Sequence, residues 1–86
     1  METLTQLRNK INKVDEEILR LLGERVKICK SIGATKRRMQ LSIKDEDREN
    51  EVLERVKQKA QVLQLDPLQI SAIYREIVNM CSSVQE

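Results

Sequence analysis

The side chains of this chain best suited to chemistry are cations standing where cations are not expected. Arg25 occupies a core position in an aliphatic helical seam, with Ile18 and Leu21 before it and Ile28 and Ile32 after it. An unpaired guanidinium withdrawn from water costs several kcal/mol, so such a position calls for an anion. Lys36 follows eleven residues on, near the same angular face and ~16 Å further along a helix axis. Two long cationic side chains leaning across that gap can hold one small dianion. The alternative is that each snorkels to solvent or pairs with a carboxylate of its own chain.

Arg8 borders the same seam, but seventeen residues from Arg25, or ~25 Å on a straight helix. One small ligand cannot touch both within a single chain. Two such helices packed antiparallel about a two-fold axis would bring Arg8 of one copy toward the Arg25–Lys36 region of the other; taken alone, Arg8 is an ordinary solvated residue. The segment Asp45-Glu46-Asp47-Arg48-Glu49 sets Asp45 and Glu49 four apart on one face. Acids favour helix N-termini, which accounts for them by itself, and acceptance of hydrogen bonds from ligand hydroxyls is the functional alternative. Gln85 falls one turn after Cys81 on the apolar side of the last helix, where a frayed end is the ordinary expectation.

What is missing narrows the chemistry. There is no His, which removes imidazole acid–base catalysis, Ser–His and Cys–His nucleophiles and His-ligated metals. Cys29 and Cys81 stand far apart and read as two thiols in a reducing cytosol rather than a metal site or a disulfide framework. The start, Met1-Glu2-Thr3, shows no secretory signal, and no apolar run approaches the ~18 residues of a membrane span. Sixteen basic against fourteen acidic residues give a net charge of +2, too balanced to indicate nucleic-acid binding. A soluble cytoplasmic protein without metal is expected.

Three helices must carry these groups. Leu4, Leu7, Ile11, Val14, Ile18, Leu21, Arg25, Ile28 and Ile32 keep a 3-4-3-4 spacing, which predicts one helix over about 3–39, with Thr3 and Gln6 as a capping box. Gly33 weakens that helix by ~1 kcal/mol without ending it. After a loop over 40–44, Asp45 serves as N-cap for a helix over about 46–63, with Glu49, Val52, Leu53, Val56 and Ala60 on its apolar face. Asp66-Pro67 with Gln69 starts a third helix over about 67–85, whose apolar face is Ile70, Ile73, Tyr74, Ile77, Cys81 and Val84. Apolar residues are 40% and charged residues 35%, with one aromatic, Tyr74, two Gly and one Pro. That composition excludes disorder and a many-stranded sandwich or barrel, and predicts an all-α single domain over 1–86 with an aliphatic core. A rod of on the order of 50 Å is too long for a compact fold of this mass. A monomer of this size would bury only ~64% of its unfolded surface, so oligomerisation is expected.

The ordered set Leu7-Arg8-Asn9-Lys10-Ile11, Asp15, Leu21-Leu22-Gly23-Glu24-Arg25, Lys36 and Asp45-Glu46-Asp47-Arg48-Glu49 resembles the all-helical chorismate mutase family over nearly the whole chain. The resemblance implies three helices per chain, one long and two shorter, intertwined in a homodimeric bundle with two equivalent sites. It implies that Arg25 and the second copy's Arg8 grip the carboxylates of chorismate, and that Lys36 bonds a carboxylate and the ether oxygen of the breaking C–O bond. Asp45 and Glu49 would receive the hydroxyl region, Arg48 would support the ring carboxylate, and Gln85 would donate to the ether oxygen opposite Lys36. Cys81 stands where many members carry a Ser, and a thiol is a poorer donor there.

The inventory suits conversion of chorismate to prephenate, in phenylalanine and tyrosine biosynthesis. This intramolecular rearrangement needs no nucleophile, cofactor, metal or proton relay, only fixed cations and an amide. Two rivals remain: isochorismate pyruvate lyase on the same fold, and a non-catalytic helical dimerisation module with Lys36-Arg37-Arg38 as a basic patch. The second leaves Arg25 in the seam unexplained.

Overall fold

The computed structural model describes residues 1–86 as three helices without strands: α1 (Leu4–Arg38), α2 (Glu46–Val62) and α3 (Pro67–Gln85). The architecture is all-α. Each helix starts at a side-chain cap. The Thr3 hydroxyl accepts from the Gln6 N–H at 3.1 Å while the Gln6 side chain accepts from the Thr3 N–H at 2.9 Å, the reciprocal box that satisfies two otherwise unpaired donors. Asp45 accepts from the Arg48 N–H. Asp66 accepts from Leu68 and Gln69 N–H groups; Gln69 contributes its backbone alone, so this cap is one-sided, unlike the reciprocal box at Thr3.

Termination is a backbone event. Gln40 and Gln64 take left-handed φ values of 57° and 60°. In each case the reversal lets two N–H groups bond back to the last turn, Gln40 to Arg37 and Leu41 to Lys36, Gln64 to Gln61 and Leu65 to Ala60. These are Schellman closures built on Gln where Gly is commoner. The first leaves Lys36 in the final turn of α1, beneath a loop that folds back over it.

α3 is the central helix, in contact with both α1 and α2, which do not contact each other. It runs in the same direction as α1, with α2 as the return stroke. This corrects the reading of Cys29 and Cys81 as separate thiols: they are joined in a disulfide, their Cα atoms 5.5 Å apart across 52 residues of sequence. Parallel neighbours joined through a crossover bring residues a fixed offset apart to one level, and the same offset sets Gly33 against Gln85. A Cβ on Gly33 would lie 2.8 Å from the Gln85 Cα, so the two backbones touch there.

On α2 the predicted apolar face is the one that packs, with Leu53 and Ala60 buried, but on α1 and α3 the buried faces are displaced from those the hydrophobic pattern marks. On α1 the buried residues are Cys29 and Gly33, while the neighbouring seam residues Ile28 and Ile32 remain 61% and 42% exposed. On α3 they are Ser71, Val78 and Gln85, while Ile73 is exposed and Ile70, Tyr74, Ile77, Cys81 and Val84 are only partly covered. The approach of α1 to α3 thus runs along the small residues Cys29 and Gly33, and the aliphatic seam of α1 is left largely uncovered. Only seven residues are buried, so the chain encloses little core of its own. The shape agrees: the molecule extends 58 × 24 × 15 Å with a radius of gyration of 16.2 Å, against about 12 Å for a compact chain of this length. The first half of α1 projects from the rest. No helix is long and apolar enough to cross a membrane.

Candidate active site

A pocket of about 450 Å³ opens where the C-terminal halves of α1 and α3 meet the start of α2, and Arg25, Lys36, Asp45, Arg48, Glu49, Cys81 and Gln85 all line it. The heptad spacing places Arg25 and Lys36 on one side of α1, the loop over 39–45 brings the first turn of α2 opposite, and α3 closes the base. Ile28, Ile32, Val52 and Val78 form the apolar wall. Of the eight residues singled out from sequence, the fold gathers seven; Arg8 lies on the projecting half of α1 and does not line the pocket.

Neither Arg25 nor Lys36 has an ion-pair partner; the chain's salt bridges involve other cations. Arg25 is half-buried, and its Nη1 meets only the Cys29 sulfur, at 3.9 Å. The Lys36 ammonium donates to the Ile43 carbonyl at 2.8 Å and to Gln85 Oε1 at 3.0 Å. An ammonium has three protons, so one donor is left for a ligand. The same contact turns the Gln85 amide so that its carbonyl faces Lys36 and its NH₂ is the end left to donate. Gln85 is 7% exposed, not frayed.

The acidic side is more committed to the protein. Asp45 serves as the α2 cap through one oxygen. Glu49 receives Lys44 Nζ at 2.9 Å and the Ser82 hydroxyl at 3.1 Å. The Lys44 ammonium holds the Glu49 carboxyl below the usual carboxylate range; partial burial opposes that shift and the Ser82 hydroxyl adds to it. Arg48 pairs with Glu51 at 2.7 Å on the exposed rim. Cys81, bound to Cys29, has no S–H to donate; its sulfur instead accepts a long contact from the Gln85 NH₂ at 4.0 Å.

Three participants escaped the sequence reading. Ser82 reaches Glu49 across 33 residues, the Ile43 carbonyl receives Lys36, and Arg37 Nη1 donates to the Gln85 carbonyl at 2.6 Å. The first and third depend on how α3 docks, and no local pattern announces them. The Ile43 contact follows from the loop reversal at Gln40. No group of three acidic or cysteine side chains is arranged to hold a metal ion.

Residues 7–86 match the family model described as chorismate mutase type II. The chain is 39% identical, over its whole length, to the bifunctional chorismate mutase/prephenate dehydratase of Aquifex aeolicus, of which the alignment covers 25%. It is 32% identical over 66% of its length to the chorismate mutase of Methanocaldococcus jannaschii, covering 58% of that protein. It is 33% identical over 87% of its length to the bifunctional chorismate mutase/prephenate dehydratase of Escherichia coli K12, covering 19% of it. The chain therefore spans from about a fifth to somewhat over half of these relatives. Among solved structures, a conserved hypothetical protein from Pyrococcus furiosus superposes with a TM-score of 0.78 at 31% identity, covering 100% of this chain and 99% of that one.

Proposed function

Because the chain belongs to the type II chorismate mutase family, we propose that its pocket binds chorismate and rearranges it to prephenate. One observation carries this reading: Arg25 and Lys36 face a single pocket with no carboxylate of their own chain paired to either, while Gln85 is held against Lys36. Cations in that state fit a dianion, and the reaction asks for little else. One C–O bond breaks as one C–C bond forms within the same molecule, with no proton gained or lost.

In this reading Arg25 forks onto one substrate carboxylate. The spare Lys36 proton and the Gln85 NH₂ meet the ether oxygen as negative charge grows on it, the kind of fixed donor that favours a transition state over its ground state. Asp45 and Glu49 receive the hydroxyl region and Arg48 the ring carboxylate. The apolar wall holds the substrate in its compact conformer, which supplies the orientational part of the acceleration. Cys81 offers the substrate shape alone.

Arg8 enters through a second copy. The exposed aliphatic seam of α1 fits another α1 packed antiparallel, which covers the seam and brings the second copy's Arg8 to the pocket mouth. The proposed particle is a homodimer with two sites. A cytoplasmic setting fits this biosynthetic reaction.

Purified protein mixed with chorismate is expected to consume its absorbance and yield prephenate, at a mass twice the 10.1 kDa of the chain. Arg25→Ala and Lys36→Ala should each lower kcat/KM more than a hundredfold, about 3 kcal/mol of transition-state stabilisation. Conversion of isochorismate to salicylate and pyruvate, with chorismate untouched, would overturn the assignment in favour of the lyase.

A further inference from the structure

Arg37 reads in the sequence as one member of a basic run, yet its guanidinium crosses to α3 and donates to the Gln85 backbone carbonyl at 2.6 Å, 48 residues away. The last four carbonyls of a helix have no partner within it, and a helix end left so frays. Gln85 belongs to that last turn of α3, yet it is among the most buried residues of the chain. Two contacts with α1 account for this. Gly33 gives a seat on which the Gln85 backbone rests, with no room for even a methyl group between the helices. Arg37, one turn on, ties down the carbonyl through a charged, and therefore strong, donor.

The neighbouring Lys36 holds the same residue by its other end, through Oε1. Consecutive helical residues project about 100° apart, so Lys36 reaches the Gln85 amide from inside the pocket while Arg37 reaches its backbone from the rim. We propose that Arg37 is a positioning residue for the reaction: it fixes the main chain of Gln85 so that Lys36 can aim the amide. It makes no contact with substrate. Its kinetic consequence rests on the mutase reading above, whereas its structural consequence does not.

The test separates the two. Arg37→Met keeps the aliphatic stem and removes every donor at an exposed position. In the ¹⁵N-labelled protein the Gln85 side-chain amide is expected to change from ordered to mobile, its order parameter falling below about 0.6, and Arg37→Lys should restore it in part. With chorismate, Arg37→Met should lower kcat about tenfold or more with KM nearly unchanged, as befits a donor that acts in the transition state. In a Gln85→Ala background the same change should cost almost nothing further. An unmoved Gln85 amide in Arg37→Met overturns the proposal, and so does an equal loss of kcat in both backgrounds. Release of the amide in a protein that never converts chorismate would uphold the positioning and sink the mutase reading instead.

Discussion

The two halves of α1 share one helix and one heptad pattern but live in different surroundings. From Leu4 to Leu21 the seam residues are 44–61% exposed, and nothing else in the chain packs on them. From Arg25 to Arg38 the same seam is flanked by a second stripe, with Cys29 bonded to α3, Gly33 against the Gln85 backbone, and Lys36 and Arg37 holding both ends of Gln85. The second half is fixed by its own chain; the first is left uncovered by it, and the proposed dimer would cover it. A regular hydrophobic repeat thus signals that a face will be buried without saying whose surface buries it.

The strongest way to break this contrast is to charge the uncovered half. Ile11→Asp combined with Ile18→Asp should reduce the particle to a single chain by light scattering and lower chorismate turnover about a thousandfold, ~4 kcal/mol. In a protein that worked as a monomer, two aspartates at positions 61% and 49% exposed would change almost nothing. The fixed half should answer to reduction instead. Opening the Cys29–Cys81 bond, or replacing both residues with Ala, releases a loop of 52 residues' separation and should cost about 4 kcal/mol by chain entropy, read as a lower denaturation midpoint with and without reductant.

The two glycines offer a finer comparison on the same helix. Gly23 lies opposite the seam, and a methyl group added there would meet nothing within 4 Å, whereas one on Gly33 would meet the Gln85 backbone at 2.8 Å. Gly23→Ala should therefore stabilise by about 0.5–1 kcal/mol through helix propensity. Gly33→Ala should destabilise by about 1–3 kcal/mol, because a backbone and not a flexible side chain must move. Thermal melts of the two variants should shift in opposite directions.

The smallest effect is a pH response at the pocket that the fixed half of α1 shares with α2. Lys44 lowers the folded-state pKa of Glu49, so this carboxylate adds stability above the usual carboxylate range and loses it as pH falls through its depressed folded value. Glu49→Gln should flatten the acid limb of the stability profile slightly and leave the neutral region unchanged. Since the proposed donors at the ether oxygen are an ammonium and a neutral amide, turnover should hold steady between mildly acid and neutral pH; a collapse near pH 7 would point to a titrating group elsewhere.

Local chemistry was the legible part. Thr3, Asp45 and Asp66 mark the helix starts because a cap acts within three residues of itself, and the cations in the seam stood out because burial of charge is costly wherever it occurs. Arg25, Lys36, Asp45, Glu49 and Gln85 stood out by residue type and position, Arg48 and Cys81 only through the family resemblance, and the fold sets all seven around one pocket. The cysteine pair, the seat at Gly33, Ser82 on Glu49 and Arg37 on Gln85 could not, since each joins residues more than thirty apart.

Sequence by itself determined three helices, their beginnings, and an aliphatic seam interrupted by a cation, all consequences of forces that act within a turn or two of the chain. Which stripe of α1 meets α3 was settled by the packing itself, whereas α2 buries the face its pattern marked. Apolar pattern rewards any burial of the large side chains, but close approach of two backbones is possible only along a line of small residues. Cys29 and Gly33 supply that line between α1 and α3, and the larger aliphatic face of α1 stays uncovered by its own chain.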